Sequence, residues 1–149
     1  MEADRPIKSY RDLIAWQKAV ELVVECYRAT EGFPKSETYG LSSQLQRAAV
    51  SVPANIAEGR GRGHIREFAH HVAIAQGSLC ETETHVEVAQ RLGYLTPVAA
   101  NALQQRAQRL GKLMHGLRHS LQRRIDSPPG SRVLPRHPTP DTRHLTPIS

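Results

Sequence analysis

The amino-acid sequence predicts an all-α protein, an antiparallel up-down four-helix bundle with a disordered C-terminal tail. Three observations lead to this fold class. Apolar residues recur at alternating steps of three and four in four separate segments, the pattern of amphipathic helices. Glycine or proline separates consecutive segments. The connecting stretches are short, so neighbouring helices are expected to run antiparallel.

The chain of 149 residues is long enough for one such domain. We expect a short N-terminal arm at 1–8, the bundle at 9–125 and a tail at 126–149. Six of the ten prolines lie in this last segment, and large apolar residues are sparse there. Such a composition cannot bury enough surface to offset the entropy of ordering, so the tail is predicted to be disordered.

The first two helices have recognisable ends. Ser9 is the expected N-cap of the first helix, with Asp12 in its first turn, and Gly32 and Pro34 end that helix. Ser36 is the expected N-cap of the second helix. The apolar face of the first helix is predicted to consist of Leu13, Trp16, Val20, Val23 and Tyr27. That of the second is predicted to consist of Leu41, Leu45, Ala48, Val52 and Ile56.

Pro53 lies inside the second helix, where it removes a backbone hydrogen bond at a cost of about 3 kcal/mol. We expect a bend over residues 49–53. The glycine-rich segment 59–63 is predicted to be a loop that leads into the third helix.

The third and fourth helices are the longest. Gly93 is expected to end the third helix, and Thr96 and Pro97 begin the fourth as N-cap and first helical residue. The core face of the third helix is predicted to contain Ile65, Phe68, Val72, Ala75, Leu79 and Val86. That of the fourth keeps a heptad alternation through Leu103, Ala107, Leu110, Met114, Leu117 and Leu121.

Composition indicates where the protein resides and which partners suit it. The N-terminus has no apolar leader and no segment is apolar enough to cross a bilayer, so we expect a cytoplasmic protein without a membrane partner. In that reducing compartment, Cys26 and Cys80 are expected to be small buried or half-buried hydrophobes. The formal charge of +6 favours polyanionic partners.

The helices also carry a second, polar face. On the second helix this face contains Gln44, Arg47, Ser51, Asn55 and Glu58, and on the third it includes Ser78 and Glu81 beside Ile74, His85, Val88 and Leu92. An ordinary solvated surface is one interpretation. The other is an interface between copies of this chain, because one bundle cannot bury two faces of the same helix.

Several sequence blocks carry a family resemblance. The segments are SVPANIAEG at 51–59, GLSSQLQRAA at 40–49, LIAWQK at 13–18, FPKSE at 33–37, IAQGSL at 74–79 and LGYL at 92–95. Their order and spacing resemble the four-helix-bundle proteins related to those encoded in intervening sequences of bacterial 23S ribosomal RNA genes. The resemblance covers residues 8–120. Thr82, where leucine is common, and the glycine-rich segment 59–63 depart from the family pattern.

The resemblance implies a bacterial cytoplasmic protein that assembles as a homopentamer around a central channel. It also implies kinship in fold with the accessory proteins of diversity-generating retroelements, which are thought to bind nucleic acid and a reverse transcriptase. No catalytic residues come with the resemblance.

The fourth helix suggests nucleic acid as a ligand. Between 97 and 125 it has no acidic residue and carries Arg106, Arg109, Lys112, Arg118, Arg123 and Arg124. Arg60 and Arg62 in the glycine-rich segment are further candidates for phosphate contacts. With few aromatic residues for base stacking, binding is expected to follow the backbone of either RNA or DNA. A solvated basic face is the alternative interpretation.

The sequence suggests two other classes of function. A scaffold oligomer that docks another protein, with no role in nucleic-acid binding, is compatible with the same sequence. A metal site is suggested by His115 and His119, four residues apart on one helix. No acidic residue lies near this pair and no HExxH motif or cysteine pair completes a metal shell, so we expect no metal, no cofactor and no catalytic residue.

Overall fold

The computed structural model describes residues 9–127, and within them every regular element is helical. The four α-helices are α1 (Ile14–Thr30), α2 (Leu41–Gly61), α3 (Ile65–Arg91) and α4 (Pro97–Asp126). Short 3-10 turns, Tyr10–Asp12 and Lys35–Glu37, precede α1 and α2. The all-α four-helix prediction is confirmed. The predicted arm at 1–8 and the tail from 128 onward lie outside the described residues, and α4 extends one residue past its predicted end.

The helices form a ring in which each contacts its neighbours in sequence and α4 returns to α1. Later residues of one helix contact earlier residues of the next, so α2 with α3 and α3 with α4 are antiparallel. The side-chain hydrogen bonds that show this order are Ser51 to Ser78, Asn55 to His71, Gln104 to the Glu83 carbonyl and Arg118 to Gln76.

The core follows the predicted apolar faces of α2, α3 and α4, but of the predicted α1 face only Leu13 is buried. The buried line of α1 is Ala15, Ala19, Leu22, Cys26 and Thr30, one position away from the predicted line. As a result Tyr27 is 46% exposed, and Trp16, Val20 and Val23 are only partly buried. Four of these five buried side chains are small, so the spacing of the large residues alone does not reveal the buried line.

Two predicted N-caps are wrong because a separate turn precedes each helix. The Ser9 hydroxyl accepts from the Arg11 N–H at 3.1 Å and caps the Tyr10–Asp12 turn, so α1 begins only at Ile14. Ser36 lies within the second turn. The Glu37 carboxylate accepts from the Leu41 N–H at 2.8 Å and supplies the oxygen at the start of α2.

Two predicted ends are confirmed at the α3–α4 connection. Gly93 adopts a φ of +77°, and the N–H groups of Gly93 and Tyr94 donate to the carbonyls of Gln90 and Ala89, each at 2.9 Å. This pair of bonds is a Schellman motif. Thr96 caps α4 by accepting from the Ala99 N–H at 3.1 Å, with Pro97 at the first helical position.

The predicted loop at 59–63 is shorter in the structure. Helix α2 continues without interruption through the buried Pro53 and ends at Gly61, while the bend near Pro53 stays a prediction. Gly59 is buried inside the helix rather than in a loop. A Cβ placed on Gly59 would lie 2.6 Å from the His71 Cβ and 3.3 Å from the Phe68 Cα. Glycine therefore permits the close approach of α2 to α3.

The two cysteines have opposite environments. Cys26 is fully buried, and burial, with a smaller contribution from Glu25, raises the pKa of its thiol to about 12. Cys80 is exposed, so the expectation that both thiols are at least half-buried is wrong for this residue. Both are free thiols. No helix within residues 9–127 combines the length and apolarity that crossing a bilayer requires.

Replacing Gly59 tests the close α2–α3 approach. We expect Gly59→Ala to lower the free energy of unfolding by about 1–3 kcal/mol, because the added methyl group overlaps the His71 side chain and the α3 backbone near Phe68. Gly61→Ala is the control, since nothing lies within 4 Å of its Cβ position, and it should be neutral or stabilising by up to about 1 kcal/mol. Urea denaturation of both variants measures the difference, and equal stabilities would contradict the packing argument.

Candidate assembly and nucleic-acid interfaces

Helix α3 carries a second line of residues outside the core. They repeat at steps of three and four, as in a coiled-coil seam: His71, Ile74, Ser78, Glu81, His85, Val88 and Leu92. We call these residues, together with Gln44, Arg47, Ser51, Asn55 and Glu58 of α2, the outer α2–α3 face. Its apolar members remain accessible, with exposed fractions of 40% for Ile74, 39% for Val88 and 55% for Leu92.

A chain of hydrogen bonds occupies the middle of the outer α2–α3 face. The Ser51 and Ser78 hydroxyls lie 2.8 Å apart. The Asn55 amide nitrogen donates to the Ser51 carbonyl at 2.8 Å and to its hydroxyl at 3.0 Å. The Asn55 amide oxygen lies 3.1 Å from His71 Nδ1. Since an amide oxygen only accepts, His71 must carry its proton on Nδ1 to complete the chain.

This series of hydrogen bonds changes the interpretation of the predicted interface residues. Ser51, Asn55 and Ser78 were expected to contact another copy, and the hydrogen bonds they form in the structure link α2 to α3 within one subunit. Ser78 is itself buried. Their partner His71 was not predicted from the sequence, although it shares the three-and-four repeat of Ile74 and Ser78 and could have been found from it.

The other predicted interface residues, Gln44, Arg47 and Glu81, are exposed and lie together. They line an open groove between α2 and α3, which His85 also borders. Arg47 lines a second groove as well, on the α1 side of α2, next to Tyr27 and Val50. Among residues 9–127, Arg47 forms no ion pair. An uncompensated arginine therefore stands between two shallow grooves.

Glu58 and Arg62 pair with each other at the end of α2. An Arg62 guanidinium nitrogen lies 2.8 Å from a Glu58 carboxylate oxygen. This hydrogen bond, followed by the nearby His71, lowers the pKa of Glu58. Arg62 was predicted as a free phosphate contact in a loop, but it caps α2 with its charge compensated. Arg60 lies in the last turn of α2 and is partly buried. The predicted loop position is wrong for Arg60, because α2 extends through it to Gly61, while the phosphate contacts of both arginines stay a prediction.

Helix α4 presents the predicted basic residues to solvent, all six of them exposed: Arg106, Arg109, Lys112, Arg118, Arg123 and Arg124. Arg106 lies 3.8 Å from a Glu21 carboxylate oxygen, and Arg118 donates to the Gln76 side chain at 3.0 Å. The other four form no ion pair with any part of the described chain. The one acidic residue of α4 is Asp126, at its last position. The exposed surface of α4 is therefore positively charged.

The histidine pair of α4 does not form part of a metal site in the described chain. The rings of His115 and His119 stack with their centroids 6.4 Å apart. Over residues 9–127, no group of three histidine, cysteine, aspartate or glutamate side chains is arranged to hold a metal ion. The surface of α4 therefore offers a ligand charged groups and hydrogen-bonding groups.

A double-mutant cycle tests the polar link between α2 and α3. Ser51→Ala should lower the free energy of unfolding by about 1–2 kcal/mol, because it leaves the buried Ser78 hydroxyl and the Asn55 amide short of a partner. Combined with Ser78→Ala, the cycle should give a coupling energy of about 1 kcal/mol. Thr84→Ala, which removes an exposed hydroxyl bonded within α3, is the control and should change stability by less than about 0.5 kcal/mol. Strictly additive effects of the two serine substitutions would refute the link.

Comparison with known proteins places this architecture in a family. A solved structure from Bacteroides thetaiotaomicron, described as a protein of unknown function from the S23 ribosomal protein family, is similar with a TM-score of 0.63 and 22% identity. The similarity covers 70% of this chain and 97% of that one. No curated protein matches. The family model described as 23S rRNA-intervening sequence protein matches residues 11–116, which span α1, α2, α3 and most of α4. The chain therefore belongs to the 23S rRNA-intervening sequence protein family.

Proposed function

We propose that this protein is a non-catalytic, self-associating helical bundle that binds the phosphate backbone of nucleic acid through the basic face of α4. The observation that carries the proposal is the row of six exposed basic side chains on one helix whose only acid is its last residue. Four of these side chains have no ion pair within residues 9–127, so they are available to phosphates.

Base recognition is not part of the proposal. Helix α4 contains no aromatic residue other than histidine. The Trp16 ring is partly buried and packs against Tyr10, with a centroid separation of 5.2 Å, while the Arg11 guanidinium lies 5.4 Å from the Trp16 ring. A surface of arginine and lysine without a stacking platform contacts the sugar-phosphate backbone and discriminates weakly between sequences.

Self-association is proposed through the outer α2–α3 face. Ile74, Val88 and Leu92 lie along one line of α3 at heptad spacing and are substantially exposed in a single subunit. A second copy packed on this line would remove their apolar surface from water, a favourable change of roughly 25 cal/mol per Å². Arg47 and Glu81 beside them supply charges that can fix the orientation of the partner.

The copy number of five comes from the family resemblance. Repeating the α4 face five times would convert weak phosphate contacts into strong overall binding by raising the effective concentration. The same assembly without affinity for nucleic acid would be a scaffold for other proteins, and binding measurements separate these two functions.

Nucleic-acid binding is tested by fluorescence anisotropy with labelled duplex DNA and hairpin RNA of mixed sequence. We expect binding at low salt that weakens steeply as salt rises, because each phosphate contact releases condensed counterions. Lys112→Gln/Arg123→Gln/Arg124→Gln should reduce the salt slope by about 3. Arg28→Gln/Lys35→Gln/Arg91→Gln removes the same charge from α1, the turn that follows it and the end of α3, and should leave the slope nearly unchanged. If the wild type binds neither probe at low salt, the scaffold function is favoured instead.

Assembly is tested by light scattering coupled to gel filtration. The wild type should have the mass of an oligomer, and Ile74→Asp/Val88→Asp should shift it toward the monomer because two carboxylates would be desolvated in the contact. Val98→Asp is the control, since Val98 is 81% exposed in the first turn of α4, away from the outer α2–α3 face. A monomeric wild type contradicts assembly through this face. So does an Ile74→Asp/Val88→Asp variant that keeps the mass of the oligomer.

A further inference from the structure

The antiparallel ring of helices sorts charge between the two ends of the bundle. The Ser51–Ser78 hydrogen bond and the contact of Gly111 with Leu79 mark its middle. One half contains the N-terminal part of α1, the 62–64 connection between α2 and α3, and the C-terminal part of α4. We call it the basic pole, and it comprises residues 9–20, 52–78 and 112–127. The opposite pole comprises residues 21–51 and 79–111.

The two poles differ strongly in charge. The basic pole has nine Lys and Arg against four Asp and Glu, a formal charge of +5, and five of the six histidines of the described chain. The opposite pole has six Lys and Arg against seven Asp and Glu, a formal charge of −1. These counts cover residues 9–127. The charge therefore belongs to an end of the bundle and not to α4 alone, since the opposite pole includes Arg106 and Arg109 of α4.

Ion pairs leave this contrast in place. At the opposite pole, Arg28 pairs with Glu25, Arg91 with Glu87 and Arg106 with Glu21. Arg62 pairs with Glu58 within the basic pole, and Lys18 pairs with Glu21 across the boundary between the poles. At the basic pole, the exposed Arg66, Arg123 and Arg124 form no ion pair anywhere in residues 9–127. They come from the start of α3 and the end of α4, which the antiparallel packing of these helices brings to one end.

The segments outside the described residues also carry a net positive charge. Ser9 and Ser127, the first and last described residues, both lie at the basic pole. The segments 1–8 and 128–149 together contain Arg5, Lys8, Arg132, Arg136 and Arg143 against three acidic residues. Both segments therefore join the bundle where its charge is already positive.

We infer that the basic pole is the nucleic-acid-binding end of the protein, with Arg60 of α2, Arg66 of α3, and Arg123 and Arg124 of α4 as its phosphate contacts. The inference rests on the proposed function and assigns its site. Phosphodiester backbone is the ligand because the charge is dense and the segments that carry these four arginines expose no large apolar side chain of the kind that membrane surfaces require. The exposed Ile14, Ile74 and Leu113 of the basic pole lie outside those segments. None of the exposed large hydrophobic residues of the described chain falls within 57–70 or 115–127.

Self-association would strengthen this site. Copies related by rotation about an axis parallel to the helices would place every basic pole at the same end of the assembly, so the poles would combine into one surface. The near-neutral opposite poles would combine in the same way and would not bind polyanions. Such an assembly engages nucleic acid from one end, whereas a site along the whole of α4 would engage it along the side.

Two matched substitutions distinguish a binding site at the basic pole from a binding site along the length of α4. Arg66→Gln is at the basic pole but outside α4, and Arg109→Gln is on α4 but outside the basic pole. Both residues are exposed, and neither forms an ion pair with another described residue. With labelled duplex DNA and hairpin RNA at about 0.1 M monovalent salt, losing one phosphate contact should weaken binding about eightfold and lower the salt slope by about 0.9 for each subunit that contacts the probe. We expect these changes for Arg66→Gln and a clearly smaller loss for Arg109→Gln. The control is Lys35→Gln, which removes an exposed charge without an ion pair among the described residues, at the opposite pole and outside α4, and it should change binding less than twofold.

The remaining outcomes are distinct. A larger loss for Arg109→Gln than for Arg66→Gln overturns the basic pole while leaving binding through α4 intact. Equal losses mean that only net charge matters and also overturn it. A wild type that binds neither probe removes the proposed function as well. Tighter binding of the wild type to vesicles containing phosphatidylserine than to both probes overturns nucleic acid as the ligand. Melting curves confirm that both variants fold, and Arg123→Gln/Arg124→Gln provides a second test at the same pole.

Discussion

The close contact between α2 and α3 is the constraint on which the surface of this protein depends. Gly59 lies so near His71 that a methyl group would not fit, and from that point the two helices run antiparallel past Asn55, Ser51 and Ser78. Because the backbones approach closely, short side chains can bond across the gap. The polar groups on this line therefore form hydrogen bonds within the subunit, and each bond fixes the rotation of α2 relative to α3.

That rotation decides which residues remain for other molecules. With the serine and asparagine groups bonded between helices, the outer α2–α3 face offers Ile74, Val88 and Leu92 as apolar contacts and Arg47 and Glu81 as charges. This composition, apolar along the centre and charged beside it, suits the proposed association with another copy. Stability of the subunit and its proposed assembly therefore use neighbouring residues of the same two helices for different purposes.

The same antiparallel order organises the charge. The sequence of α4 shows a basic helix, yet the chain order does not show that the end of α4 lies beside the start of α3 and the end of α2. Once these ends meet, Arg66, Arg123 and Arg124 form one region, while Arg106 lies near Glu21. Isolated positive residues on a helix are weak evidence for a ligand, and their convergence at one end of a bundle is stronger evidence because phosphate contacts act together.

By itself, the sequence determined the helical class, the number of helices, the core faces of α2, α3 and α4, and the Gly93 and Thr96 signals between the last two, because helical periodicity and caps are local properties. It also identified the exposed basic residues of α4. Only the tertiary structure decided the rotation of α1, the separate turns after Ser9 and around Ser36, the burial of Gly59 and the partners of Ser51 and Asn55. Those features depend on what a neighbouring helix presents at contact distance, and residues distant in sequence set that environment.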